Sequence, residues 1–347
     1  MRSFMWVVIA LTITGAAAVS AQVTTTSSVG FDMAYYFADQ QGFGLSDGEF
    51  APITYQVREP DDGSVDDGER ALGGSWGGLE PKAYYTHSWR IPALQWSDGP
   101  LAADNNVSIR SQTGVSPISV TQDIRAVVTP VAVLQFTAGT TLGTGWNIQI
   151  FDGLGLVDET SGEVDPASFE GLVVRSYVGG TFQFDLAAVF PGEWNHVVTV
   201  VSPQWTYNLL TTAGSDEAWS FEADSGANYN GWTYRTTAFL GYQPPLALNT
   251  VGVLYEGTQL VGAAVERARD AAPADFDPGF RDDRLSLVTN FGFGDNQQHS
   301  LTIVGQFRRN RLASEDTIFL QGVQRRETVG GYWDFYRVAV QYRLALN

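Results

Sequence analysis

Taking every second residue near the end of the chain gives Tyr336, Val338, Val340, Tyr342, Leu344 and Leu346. The residues between them are Phe335, Arg337, Ala339, Gln341, Arg343 and Ala345. Alternation of period two over about ten residues marks a strand with two unlike faces. One face is apolar and holds tyrosines; the other is mixed and carries two arginines. Gly330-Gly331 precedes this run and a second strand-like run covers residues 317–327, so the pattern predicts a long hairpin with a tight loop at the glycines.

The same alternation recurs upstream. Val29, Phe31, Met33, Tyr35 and Phe37 share one face of a first predicted strand. Residues 83–95 form a second, and residues 97–117 read as loop because of their Asp, Asn, Gly and Pro content. The apolar stretch 118–138, interrupted by Gln122, Asp123, Arg125, Pro130 and Gln135, fits two strands or one with a bulge at the proline. A strand is expected around residues 145–151, followed by an acidic loop through Asp158, Glu159, Glu163 and Asp165. Residues 172–178 and 181–190 predict a second hairpin turning at Gly179-Gly180. Its return strand puts Phe182, Phe184, Leu186, Ala188 and Phe190 opposite Thr181, Gln183, Asp185 and Ala187. Residues 194–210, 232–242, 250–264, 284–294 and 300–309 complete a set of twelve to fourteen strands. Helix signals are few; the clearest is residues 261–272, ahead of Pro273.

An all-β chain with this many amphipathic strands has two architectures open to it. A soluble sandwich or barrel buries its apolar faces; a membrane barrel turns them outward and keeps polar residues inside. Local alternation is the same in both. Aromatics near strand ends, Arg and Asp in mid-strand, and a complete amphipathic strand at the C-terminal end favour a transmembrane antiparallel up-and-down barrel. The soluble alternative is a secreted β-sandwich that binds or cleaves polysaccharide, with Trp205, Trp219 and Trp232 lining a groove.

Composition sharpens this choice. The 347 residues include 37 glycines and 13% aromatics, no cysteine, and a formal net charge of −18. Nucleic acid is therefore not an expected partner. Disulfides and a lipidated cysteine are excluded. Lys82 is the sole lysine, so the basic side chains are otherwise arginines. Arg2, an apolar core over residues 4–13 and the small residues of 16–21 predict an export signal cleaved after Ala21, leaving residues 22–347 as one barrel domain. No later apolar run reaches the ~18 residues of a membrane helix.

With these features the chain resembles a Gram-negative-type outer-membrane β-barrel. The resemblance implies outer-membrane lipid around the barrel, and a passive, porin-like pore for small polar or anionic solutes or else a structural barrel. The chain departs from the common pattern in ending on Leu346-Asn347 rather than on an aromatic residue. The predicted strand count also sets the connection at residues 266–283 on the opposite side from the turn at Gly330-Gly331, which inverts the usual distribution of long and short loops.

Candidate chemistry is sparse. If the apolar faces meet lipid, Arg337, Gln341, Arg343, Asp185 and Arg235 line the lumen, and rings of arginine in a pore favour anions. Asp61, Asp62, Asp66 and Asp67 crowd into a glycine-containing loop. Oxygen ligands of this kind suit Ca²⁺, but the spacing is not that of an EF-hand, and a solvated acidic surface loop is the preferred reading. Gly73-Gly74-Ser75-Trp76-Gly77 matches the nucleophile-elbow pattern but lacks the strand and helix that give the pattern its mechanics. It reads as a coincidence in a glycine-rich loop, and no catalytic set or cofactor is expected.

Overall fold

The computed structural model describes residues 23–36, 79–148, 153–157, 164–222, 228–271, 279–294, 297–320 and 323–346. The elements, in chain order, begin with β1 (Thr24–Tyr36), β2 (Leu79–Pro92), β3 (Asn106–Val115), β4 (Ser119–Val131) and β5 (Leu134–Gly145). Next come β6 (Leu154–Val157), β7 (Val164–Pro166), β8 (Val173–Asp185), β9 (Val197–Leu210) and β10 (Trp219–Phe221). The last third holds β11 (Gly231–Tyr242), β12 (Leu248–Val261), the helix α1 (Ala263–Ala271), β13 (Asp282–Phe293), β14 (His299–Leu320) and β15 (Val323–Ala345). Twelve strands close an antiparallel up-and-down barrel in the order β1-β15-β14-β13-β12-β11-β9-β8-β5-β4-β3-β2. The short strands β10, β6 and β7 form a separate three-stranded sheet.

The seam between β1 and β15 pairs Ser28 with Ala345 through to Tyr36 with Arg337. Closure pairs the barrel strands on both sides, the condition for sheet structure in hydrocarbon. Strands β14 and β15 run on as a hairpin past their pairings with β13 and β1, which end at Arg308 and Arg337. No described helix is long and apolar enough to cross a membrane.

The two faces decide between the architectures. Mid-strand aliphatic and aromatic side chains point out and are open: Leu287 is 59% exposed, Phe136 56% and Val178 51%. Asp32, Lys82, Arg175, Ser286 and Arg337 are buried on the opposite face. A soluble sandwich would reverse this assignment. Trp205 and Trp232 stand on the outer face, packed on Tyr234 and Tyr207 at 5.0 and 5.3 Å, while Trp219 is buried in the small sheet. No groove unites the three, and the sandwich alternative is set aside.

Outward aromatics form rims at two levels. Trp232 and Tyr242 stand ten residues apart on β11. At ~3.4 Å per residue and a ~40° tilt this is a height of ~26 Å, close to the ~25 Å apolar band of an outer-membrane barrel. Leu287 lies between the rims, so Leu287→Arg is expected to lower folding stability by about 2–4 kcal/mol, read by urea titration in lipid vesicles.

One end of the barrel carries both described chain ends and the connections 93–105, 132–133, 186–196, 243–247 and 294–298. The opposite end carries the described parts of the connections 146–172, 211–230 and 262–281, the short connection 116–118, the end of β1 with the start of β2, and the end of β14 with the start of β15. We call these the terminal end and the loop end. The usual distribution puts the loop end outside the cell and the terminal end in the periplasm.

The inverted loop distribution expected from the sequence disappears here. Residues 299–345 form two strands, not three: β14 and β15 pair from His299↔Leu344 to Leu320↔Val323, and Gly330 and Gly331 lie within β15. The end of β12, where the connection 262–281 begins, therefore shares the loop end with the last β14–β15 pair, Leu320↔Val323. Gly179 and Gly180 likewise lie inside a continuous β8. A Cβ at Gly179 would sit 2.9 Å from the Pro203 carbonyl oxygen, so this glycine serves a close approach of neighbouring strands rather than a turn. Residues 106–115, read as loop, are strand β3. Gly145 ends β5 instead of starting a strand. The stretch 118–138 is two strands, with a register shift between Val128 and Val131 beside Pro130. The helix expected at residues 261–272 is α1.

Candidate functional site

The barrel interior is divided unequally. On the wall made by β11 to β15, inward side chains pack against one another. Arg235 donates to Glu256, Gln306 Nε2 donates to Glu256 Oε2 at 3.3 Å and to Ser286 Oγ at 2.9 Å, and Arg337 Nε donates to Gln306 Oε1 at 2.8 Å. Asp282 accepts from Arg284 at 2.7 Å and from Arg308 at 3.1 Å.

Tyr336 sits under this network. The register passes from Gln306↔Arg337 to Phe307↔Phe335, so Tyr336 is an extra residue in a β-bulge. The bulge turns its ring inward, fully buried, with the guanidiniums of Arg284, Arg308 and Arg337 at 5.9, 5.4 and 5.3 Å from its centroid. Simple alternation had put Tyr336 on the outer face and Phe335 on the inner. The bulge reverses both, and Phe335 packs on outward Phe307 at 5.1 Å.

The opposite wall, β1 to β5 with β8 and β9, encloses a cavity of about 880 Å³. Its lining is hydroxyl- and amide-rich. Five basic side chains reach it, Lys82, Arg90, Arg110, Arg125 and Arg175, against two carboxylates, Asp123 and Glu222. Arg110 and Arg125 are direct cross-strand partners on the inner face. Like charges opposite one another oppose sheet pairing, so this pair is a cost that the fold carries elsewhere. Arg110 donates to Gln112 at 3.2 Å. Asp123 accepts from Tyr177 Oη at 2.7 Å and Thr141 Oγ1 at 2.9 Å, with Arg125 at 3.8 Å.

Toward the loop end the cavity meets the small sheet. Leu154, Trp219 and Phe221 of that sheet bury themselves on Val173 and Leu210, the last inward residues of β8 and β9. This apolar anchor carries Phe221 and Glu222 into the interior. Phe221 lies beneath the Arg175 guanidinium at 5.7 Å. Glu222 Oε1 accepts from Lys82 Nζ and Ser119 Oγ, both at 2.6 Å. One two-residue tip thus touches β2, β4 and β8, and the sole lysine of the chain holds it.

The residues selected from the sequence fall into three places. Arg235 and Arg337 belong to the packed network. Gln341 and Arg343 share the inner face of β15 near the terminal end, where Arg343 Nε donates to Ser28 Oγ at 3.1 Å. Asp185 is at the terminal end of β8, where it caps a 3-10 turn through Ala187 N and accepts from His196 Nδ1 at 2.6 Å. None of the five lines the 880 Å³ cavity. The acidic loop with Asp61, Asp62, Asp66 and Asp67, the 73–77 glycine cluster and the signal segment lie outside the described residues. Among the described residues no cluster of His, Asp or Glu is arranged to hold a metal ion.

The cavity residues were not assigned to the interior from the sequence. Asp123, Arg125 and Gln135 stood out only as interruptions of an apolar run, and Lys82 only as the single lysine. The signal that could have placed Asp123 and Arg125 on an inner face is their period-two spacing around outward Ile124. Arg110 was missed because β3 was read as loop. Glu222 carries no local signal, because its place depends on a 140-residue separation from Lys82.

A closed barrel with an apolar belt outside and a polar, charged interior is the structure of an outer-membrane β-barrel protein. No family model and no curated protein matches the chain. Among solved structures it is similar to the KdgM porin, at 9% identity over 92% of this chain and 99% of that one, with a TM-score of 0.37. It is also similar to the outer membrane channel DcaP of Acinetobacter baumannii, at 8% identity over 94% and 97%, with a TM-score of 0.36. An anion-selective porin from Comamonas acidovorans gives 11% identity over 94% and 100%, with a TM-score of 0.31. Likeness at this level transfers no residue role to this chain.

Proposed function

We propose that this protein is a porin-like diffusion channel of the outer membrane that favours small anionic solutes. The observation that carries the reading is the charge of the cavity: five basic side chains and two carboxylates, in a chain whose net charge is −18. Of the two carboxylates, Glu222 is held by Lys82, and Asp123 accepts bonds from neighbouring hydroxyls. The remaining field is positive, and a low-dielectric wall concentrates it on a passing ion. Arg343, on the inner face near the terminal end, extends that field toward the periplasmic mouth. Arg235 and Arg337 act differently: engaged by Glu256 and Gln306, they stiffen the opposite wall. A volume of about 880 Å³ suits solutes of small-molecule size.

The test is the reversal potential of the reconstituted protein in a planar bilayer across a KCl gradient at low ionic strength. A chloride-favouring potential is expected. A cation-favouring potential would overturn the anion reading, and a folded barrel that carries no current would overturn the channel.

A further inference from the structure

A second cluster of charge lies on the outside of the barrel, where the interior pathway has no use for it. Asp283 is the register partner of Gly257 on β12, one outward rung beyond the Tyr255–Leu285 pair toward the loop end, and Arg309 stands two residues beyond Phe307, which pairs with Leu285. Asp283 accepts hydrogen bonds from Tyr255 Oη at 2.6 Å and from Arg309 Nη1 at 3.3 Å, and forms an ion pair with Arg281, whose Nε lies 2.9 Å from Asp283 Oδ1. Arg309 lies over the Phe280 ring at 4.8 Å and Arg281 over the Tyr255 ring at 5.7 Å. Gly257 leaves the notch that Arg281 occupies; a Cβ there would collide with the guanidinium.

The position gives the cluster its meaning. Leu285, Leu287 and Phe307 immediately below are exposed and belong to the lipid-facing belt. The next rung toward the outside is the level of the headgroups. Among the described residues two guanidiniums share this one carboxylate, which leaves a surplus of positive charge in that set, and each arginine side chain remains 35% exposed. Stacking and ion pairing fix their orientation, which removes the ordering cost of gripping a ligand. Guanidiniums so held match the oxygens of a phosphate in paired hydrogen bonds.

We propose that Arg281 and Arg309 form a binding site for the phosphate of a phosphorylated lipid headgroup in the outer leaflet. Tyr255, Phe280 and Asp283 position the two arginines, and the apolar rung below receives the acyl chains. The site does not depend on what the channel conducts.

The experiment is native mass spectrometry of the purified, folded barrel from detergent after addition of lipid A, in parallel with the same lipid stripped of its phosphates. The wild-type barrel is expected to retain lipid A and not the stripped lipid. The Arg281→Gln, Arg309→Gln double variant should retain at least about tenfold less, as for loss of a charge-assisted contact. Inorganic phosphate should fail to displace the lipid. Equal retention of both lipids, or equal retention by wild type and variant, overturns the proposal; displacement by inorganic phosphate assigns the site to a free anion instead. Should the double variant not fold, the Arg309→Gln single variant, which leaves the Arg281–Asp283 pair in place, carries the same comparison.

Discussion

Arg110→Glu combined with Arg125→Glu reverses the ion preference of the channel. The lining changes from five basic and two acidic side chains to three and four, so the reversal potential in a KCl gradient changes sign. The swap also exchanges one like-charged cross-strand pair for another, which leaves the pairing cost of β3 and β4 nearly unchanged. The effect should be largest at low salt and shrink toward 1 M, where the screening length falls to ~3 Å. Arg337→Gln supplies the contrast. That residue is 3% exposed and its guanidinium is bonded to Gln306, so its loss should cost about 1–3 kcal/mol of stability with the reversal potential unchanged. Unchanged selectivity in a conducting Arg110→Glu, Arg125→Glu channel would remove both residues from the ion path.

The second large effect concerns the tip at Phe221-Glu222. Glu222→Ala leaves the Lys82 ammonium buried without its carboxylate, at a cost of about 3–5 kcal/mol to the docked state. The small sheet then keeps its apolar contacts through Leu154, Trp219 and Phe221 and its hydrogen bonds to Asn147, but the tip has lost its ionic anchor. The tip is expected to leave its seat for part of the time, giving larger and fluctuating single-channel currents. Lys82→Met with Glu222→Met replaces the pair by apolar side chains of similar reach and should restore steady currents near the wild-type level. A folded Glu222→Ala protein with wild-type conductance would show that the tip does not restrict the path.

What could be read from the sequence follows from what period-two alternation encodes. It reported the two faces of β11 and of residues 337–344 in β15 correctly, because each residue there pairs one-to-one across the strands. It failed where the chain adds a residue, as at Tyr336. It also failed where glycine pairs looked like turns: Gly179-Gly180 and Gly330-Gly331 are strand-interior, and the latter misreading split β14 and β15 into three strands. The strand β3 was missed because its outward face includes Ser111 and Thr113 beside Val107, Ile109 and Val115. The inner site was harder still. Arg125 and Arg337 obey the same inward rule, yet one lines open space and the other is packed. The difference is set by Tyr336, Glu256, Asp282 and Gln306 on one wall and by the inserted tip on the other, contacts between residues far apart in the chain.

The unequal interior has a practical consequence for redesign. The bore is a property of β1 to β5, β8 and β9, whereas the ionic and aromatic packing that fills the rest is a property of β11 to β15. Width, charge and chemical lining can therefore be edited at residues such as Gln112, Thr137 or Gln204 without disturbing the braced wall. A nanopore made from this chain would have an off-axis aperture, tunable from one side, on a frame that tolerates the tuning.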